Sequence, residues 1–136
     1  MVFLPTHFVR PCKHKPTCTP RRLIFCYTVP MNLTDKKCKP CELGEGKLTP
    51  ADSQAFMTQV PKWTLKDDHD ISREFIFKNF AEALAFVNKV GALAESEGHH
   101  PTIRFGWGYA EITTFTHAVD GLSENDFILA SKIDRL

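Results

Sequence analysis

The chain has 136 residues, with 17 Lys and Arg against 16 Asp and Glu, and 43% of its residues are hydrophobic. This length and composition are typical of a single globular domain with one core. A formal charge of +1 gives little attraction for nucleic acid or for an anionic membrane surface. No apolar run is long enough for a membrane-spanning helix. We therefore expect neither nucleic acid nor membrane as a partner, and we expect function to lie in a local site.

Residues 1–30 differ from the rest of the chain in charge and in proline content. They contain five basic residues and no acidic one, so they contribute +5, whereas residues 31–136, with 12 basic and 16 acidic residues, contribute −4. Their five prolines leave no room for a helix or a paired strand of useful length. We interpret residues 1–30 as a disordered, basic, proline-rich extension upstream of a natural start at Met31.

Neither kind of targeting signal fits this extension well. A secretory signal needs a longer apolar stretch than residues 23–27, followed by a small-residue cleavage site. A transit peptide is also basic and free of acid, but it forms an amphipathic helix, which the prolines prevent. We therefore expect the protein to be cytoplasmic.

The cysteines are confined to the first third of the chain. Their odd number, five, argues against a closed disulfide framework. Two of them form Cys38-Lys39-Pro40-Cys41, which has the spacing of half a zinc site or of a redox pair. A structural zinc site needs a second ligand pair, and a redox pair is typical of a strand-to-helix junction. We therefore interpret residues 31–47 as a leader whose cysteines are reduced thiols in a mobile arm.

The first elements of a folded part, residues 48–136, follow the leader. Thr49 before Pro50, with an acid at Asp52, is typical of a helix start. We predict a short helix to about residue 59. Alternating apolar residues then predict strands at 63–66 and 71–77, joined by an acidic turn.

The strongest helix pattern begins after Asn79, which is followed three residues later by Glu82 and then by apolar residues at helical spacing. We predict a helix to about residue 97, ended by Gly98 in a left-handed cap. Strands at 102–105 and 109–116 and a last helix opened by Ser123 complete the chain. The order α-β-β-α-β-β-α predicts an α+β fold, with a four-stranded antiparallel sheet and helices packed on one face.

Three histidines gather around the second hairpin. His99 and His100 follow the long helix directly, and the hairpin can bring His117 back beside them. Glu95 lies one turn before His99 and can orient an imidazole. Such a cluster suits either a zinc ion with an open position or metal-free acid and base chemistry. Neighbouring histidines point apart in a helix or a strand, which favours acid and base chemistry without a metal.

The run Glu95-x-x-x-His99-His100-Pro101, followed by Trp107, His117 and Asp126 after five, nine and eight further residues, resembles the signature of the pterin-4a-carbinolamine dehydratases. The resemblance covers residues 48–136, and the leader resembles that of bacterial members. It implies a hydro-lyase, 4a-hydroxytetrahydrobiopterin dehydratase, which removes water from 4a-hydroxytetrahydropterin to give quinonoid dihydropterin in tetrahydrobiopterin recycling. It implies no cofactor and no metal.

By position, the resemblance also implies roles for individual residues. His99 and His117 would transfer protons, His100 would orient the pterin, and Glu95 would contact its polar edge. Further pterin contacts are implied at Gly98, Pro101, Phe115, Thr116 and Ala118. We interpret Asp126 mainly as a helix cap that supports His117. We interpret Trp63 and Trp107 as core or rim residues near the site.

The resemblance implies a homodimer or a homotetramer, with contacts through strand edges and the final helix. Some members of the family also bind a homeodomain transcription factor through helix surfaces. An alternative function is therefore a non-catalytic binding or scaffold module, acting as a transcriptional coactivator or an assembly factor.

Overall fold

The computed structural model of the chain describes residues 32–40 and 46–136. The proposed extension, the start at Met31, and four of the five cysteines lie outside the described residues. Nine elements follow in order: a 3₁₀ turn Leu33–Asp35, α1 Pro50–Met57, β1 Thr64–Lys66, β2 Asp70–Ile76, α2 Phe80–Glu97, β3 Thr102–Gly106, β4 Tyr109–Thr114, a 3₁₀ turn His117–Val119, and α3 Glu124–Ile133. The predicted order of helices and strands is confirmed. Among the described residues, no helix has both the length and the apolar character that crossing a membrane requires.

The four strands form one antiparallel sheet in the order β1-β2-β4-β3. Its inner face carries Ile71, Ala110 and Ile112, all fully buried. Helix α2 adds Phe86 and Val90 to the same core. Because each helix has one apolar side to bury, the helices cover a single face of the sheet, as the α+β prediction required.

Helix α2 begins and ends where the sequence predicts. The Asn79 side chain accepts a hydrogen bond from the Glu82 N–H at 2.9 Å. At the other end, Gly98 has φ +66°, a left-handed conformation that a residue with a side chain rarely adopts. Because Gly98 changes the direction of the chain, His99 and His100 follow the end of α2 without continuing the helix.

Strand β4 is shorter than predicted. It ends at Thr114, and a 3₁₀ turn over His117–Val119 follows, closed by an isolated bridge between Thr116 and Gly121. The prediction of a strand to residue 116 was therefore wrong at its end. The consequence is that His117 lies on a turn beyond the sheet.

Residues 32–40 of the leader pack against the folded part rather than lying apart from it. Leu33 is only 1% exposed and belongs to the core. The Cys38 N–H donates to Glu97 Oε2 at 3.0 Å, and the Cys38 thiol lies 3.7 Å from the Asn125 carbonyl oxygen. The prediction of a mobile arm was therefore wrong for Cys38, because its partners lie about 60 and 90 residues away along the chain. Burial raises the pKa of this thiol to about 12, and the Glu97 carboxylate adds to the effect.

Candidate active site

A cavity of about 290 Å³ lies where the end of α2, the segment after β4, the start of α3 and the leader meet. All three predicted histidines line it. The lining residues are Lys39, Gly98, His99, His100, Phe115, Thr116, His117, Ala118 and Asn125. Within residues 32–40 and 46–136, no group of three or more His, Cys, Asp and Glu side chains is arranged to hold a metal ion. The fold thus brings together side chains that are 18 residues apart in the sequence.

His99 is the most enclosed of the three imidazoles. Its side chain is 11% exposed, and its Nε2 lies 2.7 Å from Asp126 Oδ1. The same nitrogen lies 3.2 Å from Thr114 Oγ1. The carboxylate therefore contacts His99, whereas we expected it to support His117.

Asp126 is a fully buried carboxylate whose charge is compensated by hydrogen bonds. Its Oδ1 accepts from the Thr114 hydroxyl at 2.7 Å. Its Oδ2 accepts from the Thr116 hydroxyl at 2.8 Å and from the Ser123 N–H at 2.9 Å. The bond from Ser123 is the predicted helix cap. The two threonines at the end of the hairpin were not predicted to take part.

This network assigns the tautomer of His99. The single hydroxyl proton of Thr114 is directed at Asp126, so its oxygen can only accept from His99. Both groups near Nε2 are therefore acceptors, and Nε2 must carry a proton. In the neutral ring, Nδ1 is then the nitrogen with a free lone pair, which is the nitrogen that can act as a base.

The other two histidines have different surroundings. His100 Nε2 lies 3.0 Å from Glu95 Oε1, and both side chains are largely exposed. His117 is exposed, and its ring meets the edge of Phe115 at a centroid distance of 4.3 Å. Phe115 also contacts His69, with ring centroids 5.0 Å apart. One cavity thus contains three different imidazoles: His99 is largely enclosed and contacts a carboxylate, His100 is exposed and contacts a carboxylate, and His117 is exposed and contacts an aromatic ring.

Several other predicted residues lie outside the cavity wall. Trp63 is 4% exposed and donates its Nε1–H to Asp134 at 2.8 Å, which is a core role. Trp107 is 75% exposed, at the turn between β3 and β4. Neither tryptophan lines the cavity, and nor does Pro101 or Glu95, which reaches the site through His100.

Two residues that line the cavity and one that lies behind it were not predicted from the sequence. Lys39 and Asn125 line the cavity, and Thr114 supports His99. Nothing local in the sequence distinguishes a lysine in the leader or an asparagine near a helix start. For Thr114, the alternation of β4 does predict an inward-facing hydroxyl, which needs a polar partner when buried.

Known proteins resemble this chain along most of its length. Residues 46–136 match the family described as Pterin 4 alpha carbinolamine dehydratase. A protein of Rubrobacter xylanophilus, provisionally named as a pterin-4-alpha-carbinolamine dehydratase, is 52% identical over 76% of this chain and 97% of its own. A provisionally so named protein of Alkaliphilus metalliredigens is 49% identical over 76% of this chain and 95% of its own.

A solved structure shares the fold. The crystal structure of a protein from Brucella melitensis, described as a transcriptional coactivator/pterin dehydratase, matches with a TM-score of 0.62 and 28% identity, covering 65% of this chain and 96% of that one. The fold, the family match and the relatives all indicate one family. The chain therefore belongs to the pterin 4-alpha-carbinolamine dehydratase family.

Proposed function

We propose that this protein is a hydro-lyase that converts 4a-hydroxytetrahydropterin to quinonoid dihydropterin and water, in the cytoplasm, as a step of tetrahydrobiopterin recycling. The observation that carries the proposal is the cavity lined by His99, His100 and His117, with the buried Asp126 behind the first of them. Membership of the family supports the same reaction.

The reaction needs one proton donor and one proton acceptor. The C4a–O bond breaks, and the hydroxyl group takes up a proton and leaves as water. The N5–H proton is removed, and its electron pair forms the new C4a=N5 double bond. Imidazole suits both tasks because it titrates near neutral pH.

The surroundings of each histidine suggest its role. His99 accepts the N5 proton at Nδ1, since Asp126 holds the opposite nitrogen and stabilises the imidazolium that forms. His117, which lies against Phe115 rather than beside a carboxylate, donates the proton to the leaving hydroxyl. His100, held by Glu95, binds the polar edge of the pterin.

The remaining wall binds the flat ring. Phe115 offers an aromatic surface against which a pterin can stack. Gly98, Thr116 and Ala118 line the same cavity and contribute backbone contacts. Pro101 follows the histidine pair and fixes the direction of the chain there.

The test is a dehydration assay on the full chain, followed by the absorbance of the quinonoid product. We expect His99→Ala combined with His117→Ala to lower kcat at least a hundredfold, the usual contribution of a positioned acid or base. The matched control is His69→Phe, which removes an imidazole that does not line the cavity but keeps a ring against Phe115, and we expect its kcat within threefold of wild type. Full activity in the double variant would refute the catalytic assignment.

The alternative, a binding module, is favoured by one observation: the Brucella melitensis protein is described as a coactivator as well as a dehydratase. Such a function would use helix surfaces rather than the cavity. A wild-type protein that lacks dehydratase activity, but binds a regulatory protein equally well with and without its histidines, would support this alternative.

A further inference from the structure

The leader reaches the cavity because Asn125 holds its backbone. The Lys39 N–H donates to Asn125 Oδ1 at 3.0 Å, and Asn125 Nδ2 donates to the Lys39 carbonyl at 2.7 Å. The carboxamide thus engages both backbone polar groups of one residue, in the way that a neighbouring β-strand would. Asn125 is only 6% exposed, so the residues packed around it also restrict the position of its side chain.

The first turn of α3 joins the leader to the catalytic histidine. Glu124 forms an ion pair with Lys36, Asn125 holds Lys39, and Asp126 contacts His99. Three consecutive residues of α3 therefore hold Lys36 and Lys39 of the leader and the imidazole of His99. The position of the leader and the position of His99 depend on the same helix end.

The leader is shared with relatives although it lies outside the matched family region. That region, residues 46–136, amounts to about two thirds of the 136 residues. The similarity to the Rubrobacter xylanophilus protein covers 76% of the chain, so it must extend into the leader.

We propose that Lys39, held by Asn125, is a substrate-binding residue that forms one wall of the pterin cavity. This proposal rests on the proposed function, because the ligand that Lys39 would bind is the pterin substrate of that reaction. A pterin carries carbonyl and hydroxyl oxygens, and the lysine ammonium group provides hydrogen-bond donors for them. Lys39 increases the affinity for the pterin, whereas the histidines carry out proton transfer.

The experiment compares three variants of the full chain for binding of 7,8-dihydrobiopterin, a stable pterin, and for KM and kcat in the dehydration assay. We expect Lys39→Ala to raise Kd and KM about tenfold or more, as for the loss of one hydrogen bond from a charged group. We expect kcat to stay within twofold. Asn125→Ala should raise both constants at least as much, because it frees the backbone of the same residue.

Lys37→Ala is the matched control. It makes the same change two residues away in the leader, at an exposed side chain that does not line the cavity, and we expect Kd and KM within twofold of wild type. Should Asn125→Ala fail to fold, Lys39→Ala decides alone, because it keeps both backbone bonds. An unchanged Kd in Lys39→Ala, or a fall in kcat without a change in Kd, would overturn the proposal.

The two proposals can fail separately. If the wild type binds 7,8-dihydrobiopterin but does not dehydrate the hydroxypterin, the proposed function is refuted. The Kd values of the variants then still test whether Lys39 contributes to pterin binding. If the wild type binds no pterin, the role of Lys39 is refuted as well.

Discussion

At the scale of single residues, Asp126 shows what a sequence can and cannot predict. Its role as a cap follows from the distance of three residues to Ser123, which is a local rule. Its contact with His99 joins positions 27 residues apart and depends on how β4 meets α3. The sequence therefore identified the residue, while its main partner became visible only in the fold.

Asp126→Asn tests whether this carboxylate sets the His99 tautomer. We expect kcat to fall about a hundredfold, because the variant no longer stabilises a proton on Nε2 or the imidazolium. Nitrogen NMR of His99 should show that the Nε2–H form no longer dominates. We also expect a loss of about 1–3 kcal/mol in the free energy of unfolding.

Ser123→Ala is the control for that loss of stability. Ser123 also donates its hydroxyl to Asp126, at 3.3 Å, but has no hydrogen bond to His99. We expect about 1 kcal/mol of destabilisation, as for other caps, with an unchanged His99 spectrum. An unchanged spectrum in Asp126→Asn would show that the carboxylate acts in some other way.

At the scale of elements, the prediction succeeded where the controlling residues are neighbours in the sequence. Asn79 and Gly98 mark both ends of α2 because capping acts within a few residues. The end of β4 was misjudged because the bridge between Thr116 and Gly121 competes with strand pairing. The anchoring of Cys38 was missed because it needs α2 and α3 in place first.

Glu97 links three elements and makes the stability of the protein depend on pH. Its carboxylate accepts hydrogen bonds from Lys132 Nζ at 2.6 Å and from the Cys38 N–H at 3.0 Å. Burial acts to raise the pKa of Glu97, but these two donors outweigh it and the pKa lies below its ordinary value of 4.5. The stabilisation is therefore complete above pH 4.5 and is lost as the pH falls through the folded-state pKa.

Glu97→Gln should lower the free energy of unfolding by about 1–3 kcal/mol at pH 7, since it removes a charged acceptor from two donors. The difference from wild type should shrink as the pH falls below 4.5, the ordinary pKa of the group. Urea unfolding between pH 7 and pH 3 measures both effects. Glu95→Gln, an exposed position on the same helix, should change stability by less than about 1 kcal/mol at every pH. A constant difference for Glu97→Gln would contradict this account.

At the scale of the whole molecule, the expected oligomer has a candidate surface at the second hairpin. Ile76 and Trp107 are 74% and 75% exposed, and Phe105 and Tyr109 are exposed beside them. The final helix, which we also expected to form contacts, is buried within the chain at eight of its ten positions. The hairpin end of the sheet is therefore the better candidate for contact between copies.

Sedimentation of the full chain should show a dimer or a larger assembly, and Trp107→Glu should shift it toward the monomer because burying an unpaired charge at an interface is unfavourable. The control is Gln54→Glu, which adds the same charge at an exposed position of α1. Identical sedimentation of wild type and Trp107→Glu would exclude this surface as the contact.

Leu33 separates two definitions of this protein's domain. The match to the family model begins at residue 46, yet a fully enclosed leucine from the leader completes the core. A protein trimmed to residues 46–136 would lose that side chain and leave a void beneath α3. The unit that the family model delimits is thus shorter than the unit that folds.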